Sequence, residues 1–210
     1  MASRYCLKEN PDLLEEAVRE AAYALRSGGI VLFPTETVYG VGCDAMNPEA
    51  VRRLYERKRR PADKALLLHL HSVEQAEAVS VLSEKAKRLL RAFCPGPLSL
   101  IVPKRDILPD AVTAGMDTVG LRFPSNPVFL AVSQAFGGWI AATSANRSGS
   151  PSAKDSGDLK DAEEIADVIL DAGPCRYSFE STVLSLIEDP PVILRQGVVT
   201  EKQIREVAEW

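Results

Sequence analysis

The residues able to do chemistry in this chain fall in a few short polar segments set between apolar runs. Arg52, Arg53, Arg57, Lys58, Arg59, Arg60 and Lys64 stand against only Glu56 and Asp63, a local charge of +5 in a chain whose total is −4. The remainder carries −9, so positive potential is focused at one place, as a site for phosphates requires. The spacing predicts a helix from Pro48 that ends before Pro61, which puts Lys58 and Arg60 at its exit, beside the apolar run from Ala65. Ligands commonly bind where side chains converge at strand ends. Arg52, Arg53 and Arg57 are assigned the blander role of facing solvent or of complementing the negative end of that helix, an effect of roughly 0.3–1 kcal/mol per charge.

The segment Pro34-Thr35-Glu36-Thr37-Val38-Tyr39-Gly40 packs hydroxyls, a carboxylate and a phenol directly behind an apolar strand candidate. It reads either as a ligand-binding turn or as a turn whose hydroxyls bond their own backbone. A second polar loop, from Thr143 to Ser152, follows the run at Trp139 and carries small hydroxyl and amide side chains that suit phosphate or ribose. Arg122 and Arg195 each end an apolar strand, where a cation either clamps a carboxylate or phosphate or forms a structural ion pair. His69 and His71 are two apart on a strand candidate and are expected to share a face; with no third ligand in view, His69 is expected to hydrogen-bond a ligand and His71 to be structural or exposed. Gly40-Val41-Gly42-Cys43-Asp44-Ala45 matches G-x-G-x-x-A superficially, but the helix cap comes only at Asn47-Pro48, so the strand-turn-helix context of a dinucleotide site is displaced. There is no Walker A sequence, and no G-x-S-x-G elbow to make Ser144 a covalent nucleophile.

The elements that must hold these groups read as alternating helices and buried strands. Asn10-Pro11, Asn47-Pro48 and Asn126-Pro127 are each expected to cap a helix. After the first, Leu14, Ala17, Val18, Ala21, Ala22 and Leu25 form an apolar stripe that Gly28-Gly29 stops. Ser72 with Gln75 and Thr200 with Gln203 have capping-box spacing, and Ser83–Phe93 and Val128–Phe136 read as helices. Ile30–Phe33, Ala65–Leu70, Leu98–Val102, Trp139–Ala142, Val168–Leu170, Thr182–Ile187 and Val192–Leu194 read as strands, the last two joined by a turn at Pro190-Pro191. The Ser- and Gly-rich stretch from Arg147 to Asp158 is expected to be a functional loop. A layered α/β fold over 1–210, in one domain, follows.

Composition narrows the classes of function. The chain has 210 residues, 46% hydrophobic and 26% charged, which excludes coiled coil and disorder, and its acidic balance excludes coating nucleic acid by bulk charge. Cys6, Cys43, Cys94 and Cys175 form no C-x-x-C pair and are expected to be free thiols in a reducing compartment. The first ten residues lack the apolar core of a secretory signal, and no window is apolar enough to span a membrane, so neither secretion nor membrane association is expected.

Taken in order, Pro34-Thr35-Glu36-Thr37-Val38-Tyr39-Gly40, Lys58-Arg59-Arg60-Pro61, Cys94-Pro95-Gly96-Pro97, Ser144-Ala145-Asn146 and Ser181-Thr182-Val183 resemble the YrdC-like threonylcarbamoyl-AMP synthase family, over about Ala17 to Gly197. The resemblance implies a twisted mixed β-sheet flanked by helices around a basic cavity, and the short, single-domain form. It implies formation of L-threonylcarbamoyl-adenylate and pyrophosphate from L-threonine, bicarbonate and ATP in the cytoplasm, with Mg2+ accompanying the nucleotide. The product would feed tRNA threonylcarbamoyladenosine through separate threonylcarbamoyl-transferase proteins. Carried over by motif, Thr35, His69, Arg122 and Ser181 would hold threonine; Lys58, Thr118, Ser144, Asn146, Ser152 and Arg195 would hold ATP. Arg60 would lie between them, with Lys58 and Arg60 the catalytic pair. Arg59 departs from the small or neutral residue usual there, which leaves its role open, weak tRNA contact included. Two other readings are a non-catalytic RNA-binding member of the same fold and a carbamoyl-transfer domain of a larger maturation enzyme, whose zinc-finger cysteines this chain lacks.

Overall fold

The computed structural model describes residues 2–147, 149–159 and 162–208. Ten strands make one mixed sheet: β1 (Ser3–Cys6), β2 (Val31–Phe33), β3 (Gly40–Asp44), β4 (Leu67–His69), β5 (Gly96–Pro103), β6 (Thr118–Phe123), β7 (Ile140–Ser144), β8 (Val168–Asp171), β9 (Thr182–Ser185) and β10 (Val192–Arg195). Their spatial order is β1-β8-β2-β3-β7-β4-β6-β5-β9-β10. The helices are α1 (Leu14–Arg26), α2 (Pro48–Lys58), α3 (Val73–Val79), α4 (Glu84–Phe93), α5 (Asp110–Thr113), α6 (Pro127–Phe136), α7 (Ala162–Ile165) and α8 (Glu201–Ala208).

Strand alternation divides the apolar side chains between the two faces of the sheet. Leu32, Val41, Leu68, Leu100, Leu121 and Leu184 point into one cluster, closed by Leu54 of α2, Val79 of α3, Leu89 of α4 and Ile204 of α8. Val31, Phe33, Ile140, Ala142, Val168 and Leu170 point the other way and are covered by Ala21 and Leu25 of α1 and Phe129 and Val132 of α6. On that second face, Leu67, His69, Arg122 and Val183 form the floor of a hollow, with His69 packed at its edge against Phe129 of α6.

Capping follows the sequence closely. Asn47, Ser72, Ser83 and Asn126 each accept hydrogen bonds from the first turn of their helices. Thr200 and Gln203 form a reciprocal capping box, the Thr200 N–H meeting Gln203 Oε1 at 2.9 Å and the Gln203 N–H meeting Thr200 Oγ1 at 3.3 Å. Asn10 does not behave this way: it precedes a short 3-10 turn, Pro11–Leu13, and its side chain caps nothing. Two strands lay outside the sequence reading. β1 is a short edge strand, half-exposed, with no apolar run to betray it. β3 carries in its sequence only the superficial glycine fingerprint, yet it is a central strand on which Gly40 lets Phe33 approach and Gly42 lets Ile140 and Ala142 approach. With no helix opening at those glycines, the dinucleotide fingerprint is spurious.

Candidate active site

The hollow has a volume of about 270 Å³. Its walls come from the turn after β2, the exit from α2, the end of β7 and the entry to β9. Of the residues singled out in the sequence, Thr35, Arg60, His69, Arg122, Ser144, Ser181 and Arg195 line it. Fragments more than a hundred residues apart in sequence therefore meet on one uncovered patch of sheet.

The turn after β2 is built by its own hydroxyls. Thr35 Oγ1 donates to Val38 O at 2.6 Å and lies 2.9 Å from Thr37 Oγ1. The turn is self-bonded, and it also lines the hollow. Tyr39 pins it from beneath, its hydroxyl donating to Gly173 O at 2.7 Å and accepting from Ala172 N at 3.1 Å. Burial raises the Tyr39 phenol well above its usual pKa, so it serves as a neutral strut.

Arg122 is 2% exposed and forms a buried ion pair with Glu36 of this turn, besides donating to Thr37 Oγ1 at 3.3 Å and to Gly96 O. Glu36 is held in turn by the Ser125 N–H at 2.9 Å. The desolvated guanidinium has its pKa lowered by burial, partly offset by Glu36, and with an intrinsic value so high it keeps its charge. Beside it, His69 lies edge-on to Phe33 and Phe129, with ring centroids 5.8 and 5.9 Å away. Burial first, and the charge of Arg122 second, push its pKa down to about 3, so the imidazole is neutral, and its buried Nδ1 has no hydrogen-bond partner. His71 lies past the end of β4 and bonds Ser133 Oγ at 2.9 Å through Nδ1, so the two histidines do not share a strand face.

The Lys-x-Arg segment is shaped by the end of α2. Arg59 caps the helix in the left-handed region at φ 51°, which reverses the chain so that Lys58 and Arg60 leave in different directions. Lys58 is 1% exposed and sits behind the wall rather than on it. Its Nζ donates to Ser144 O and lies 3.5 Å from both Thr143 Oγ1 and Asn146 Oδ1: three neutral oxygens and no carboxylate. Burial, and then the charge of Arg60, lower its pKa to about 7. Arg60 reaches the hollow, donating to Thr143 Oγ1 at 3.3 Å and to the carbonyls of Lys64 and Ala65 at 2.9 and 2.7 Å.

The expected positive patch is therefore dispersed. Arg52 pairs with Glu49 and Glu56, Arg53 donates to Gly28 O at the end of α1, and Arg57 pairs with Asp167 at 2.7 Å. Only Arg59 and Lys64 of the seven are exposed without a bonded partner among the described residues. Asn146 accepts from Ser144 Oγ at 2.5 Å and donates to Ser150 O at 2.5 Å, shaping the loop rather than lining the hollow. Ser152 donates to Glu180 Oε1 at 2.8 Å. Thr118 opens β6, half-buried, on the same strand face as Arg122 but four residues away and outside the lining.

At the far wall, Arg195 pairs with Glu180 and donates to Ser181 O and to Ser181 Oγ at 3.1 Å, while Ser181 Oγ lies 3.1 Å from Ser99 Oγ. Arg122 and Arg195 thus both line the hollow and both form ion pairs. Glu36, Thr37 and Thr143 lie in segments that the sequence singles out but carry no individual role there, and Glu180 lies in none. Glu36 lay in plain view inside the hydroxyl-rich turn; Glu180 had no local signal, since its partners are 28 residues before and 15 after it.

Among the described residues, no group of three or more His, Cys, Asp or Glu comes together to hold a metal. The carboxylate on the wall is Glu180, and Glu36 behind it is committed to Arg122 and Ser125. This donor set fits magnesium only as the counter-ion of a bound nucleotide, held chiefly by phosphate oxygens and water. No helix among the described residues is long and apolar enough to cross a membrane. The four cysteines are free thiols.

Residues 23–197 match the model of the Sua5/YciO/YrdC family, described by the words telomere recombination. The chain is 42% identical over 195 residues to the threonylcarbamoyl-AMP synthase of Pyrococcus abyssi, covering 92% of this chain and 57% of that protein. It is 45% identical over 193 residues to the threonylcarbamoyl-AMP synthase of Bacillus subtilis, covering 90% of this chain and 56% of that protein. The chain thus spans little more than half the length of these relatives. The structure of P. abyssi Sua5 complexed with L-threonine superposes with a TM-score of 0.89 at 39% identity, over 99% of this chain and 60% of that one.

Proposed function

The chain belongs to the Sua5/YciO/YrdC family, and from that premise we propose that it makes L-threonylcarbamoyl-adenylate from L-threonine, bicarbonate and ATP, releasing pyrophosphate. One observation carries the reading: Arg60, Arg122 and Arg195 converge with Thr35, Ser144 and Ser181 in a single hollow of an otherwise acidic protein. A polyanion and an amino acid meet their complementary groups there. The named activity of two relatives, and the threonine held by the solved P. abyssi protein, point to the same chemistry.

In this reading the threonine carboxylate lies against Arg122 and Ser181, and its side chain against Thr35 and His69, whose unpartnered Nδ1 would gain a partner from the substrate hydroxyl. The nucleotide runs from Ser144 toward Arg195 and Ser152, with Thr118 the outlying member. Lys58 and Asn146 hold the Ser144 turn from behind. Arg60 stands between the two subsites.

The chemistry is balanced by the substrates themselves. The neutral amine nitrogen bonds to the bicarbonate carbon with loss of water, and an oxygen of the resulting carbamate attacks the α-phosphorus as the bond from that phosphorus to the oxygen bridging the β-phosphate breaks, releasing pyrophosphate. Two anions must approach each other, and fixed guanidinium groups in a partly dehydrated hollow lower that repulsion without reorganising. No side chain needs to form a covalent bond. Magnesium, carried by the nucleotide's phosphate oxygens, would supply further charge neutralisation. The product is an activated carbamoyl group, consumed in the cytoplasm by separate proteins that transfer it to tRNA adenosine.

The test is pyrophosphate release from MgATP with bicarbonate, with and without L-threonine. Release that requires both co-substrates is expected; release independent of threonine, or none, refutes the reading. A non-catalytic RNA-binding module would instead bind RNA with strong salt dependence and show no affinity for ATP.

A further inference from the structure

The cations of the hollow are compensated in two different ways. Arg122 is paired with Glu36 at 2% and 4% side-chain exposure, and the second Glu36 oxygen is fixed by a backbone N–H, so this pair is part of the core. Arg195 is paired with Glu180 at 43% and 36% exposure, on the rim. There the other Glu180 oxygen accepts from Ser152, so one carboxylate occupies a hydroxyl and a guanidinium that come from separate segments of the chain. Arg60, in contrast, has no carboxylate partner among the described residues.

We infer that Glu180 is an internal surrogate for the anionic substrate: it occupies Ser152 and Arg195 in the free protein, and an incoming phosphate group displaces it, so that this carboxylate sets the affinity of the hollow for polyphosphate. Two features of the geometry support the inference. Ser152 and Arg195 present an O–H and N–H donors to one oxyanion, the arrangement that a phosphate oxygen pair would also accept. Their bonds to Glu180 are solvent-accessible, and exposed pairs are weak enough to exchange, unlike the buried pair at Arg122. Arg195 keeps a second anchor on Ser181, so it stays in place when its carboxylate leaves. The inference deepens the proposed function and rests on it for the identity of the polyphosphate as ATP.

The experiment is calorimetric titration of wild type and Glu180→Gln with MgATP, and with inorganic pyrophosphate in the absence of magnesium. Gln keeps the shape and the acceptor for Ser152 while removing the charge. Loss of a competing exposed ion pair predicts both ligands about fivefold tighter in the variant at low salt, with the gain shrinking as salt rises. Glu201→Gln, on the exposed face of α8, makes the same change in net charge and is expected to leave both affinities unaltered. Affinities within twofold of wild type, or weaker binding of pyrophosphate, overturn the inference. Weaker binding of MgATP with unchanged pyrophosphate also overturns it, and makes Glu180 a magnesium contact instead. If wild type binds neither ligand, the proposed function falls first and this inference with it; if wild type binds and the variant is no tighter, only this inference falls.

Discussion

Replacing Lys58 by Met removes a buried ammonium that three neutral oxygens surround, and the consequence is a change in how stability depends on pH. Burial and Arg60 lower the Lys58 pKa to about 7, whereas the unfolded chain has the ordinary lysine value of 10.5. Between these two values the unfolded state binds the proton and the folded state does not, so stability rises with pH, and the cost of burying the charge is fully present below about pH 7. Each pH unit well above that value contributes about 1.4 kcal/mol, and integration from about pH 7 to about pH 8.5 gives about 1.5 kcal/mol. With a urea dependence of about 2 kcal/mol per molar, the unfolding midpoint should rise by about 0.7 M over that range. The buried thiols of Cys43, Cys94 and Cys175, pushed up to about 12, 12 and 11, act in the opposite direction as the unfolded chain ionises. Their contribution is common to both proteins. The difference in midpoint between wild type and Lys58→Met therefore isolates Lys58, and it should close by about 0.7 M toward high pH, the variant lacking the rise. Midpoints that move in parallel would refute the idea that Lys58 is a cation without a counter-charge.

Three further outcomes follow from the same geometry. Arg122→Met strands the Glu36 carboxylate in the core and should cost about 3–5 kcal/mol in urea unfolding, of which Arg122→Met with Glu36→Gln should recover a large part; equal losses in single and double variants would show that the pair is not coupled. Arg59→Gly relieves a left-handed backbone at φ 51° and should stabilise by about 0.5–1 kcal/mol after the flexibility of glycine is allowed for, measured as a higher thermal midpoint with threonine-dependent pyrophosphate release unchanged. Arg60→Ala should lower that release at least tenfold, about 1.4 kcal/mol of lost transition-state stabilisation, in a variant that urea unfolding shows to be fully folded under the assay conditions; unaltered kinetics would remove Arg60 from the reaction.

Much of the fold was legible because capping and burial are written locally. Asn47, Ser72, Ser83, Asn126 and Thr200 each cap the helix that their neighbours announce, and the apolar runs at Ile30, Leu98, Trp139 and Thr182 each overlap a strand, with ends that differ by up to two residues. Asn10 makes no side-chain cap: it sits at φ −137° and ψ 85° before a 3-10 turn rather than at the start of α1. β1 escaped notice because an edge strand half-open to solvent has no hydrophobic run to display.

The site was legible in part. Residue types and their order along the chain determined that hydroxyl-rich turns and a Lys-x-Arg helix exit exist, and motif resemblance grouped them before any geometry was known. Which cation meets which anion beyond a helical turn was decided by the tertiary structure. The +5 segment looked like one focused patch, yet the helix sends Arg52 to Glu49 and Glu56, Arg57 to Asp167, Lys58 behind the wall and Arg60 into the hollow. Nothing in the chain order links Glu36 to Arg122, 86 residues apart, or Ser152 and Arg195 to Glu180. Local propensity acts over a helical turn or a strand, so it is readable from neighbours; an ion pair acts through space, and only strand order and register determine which distant side chains share a face.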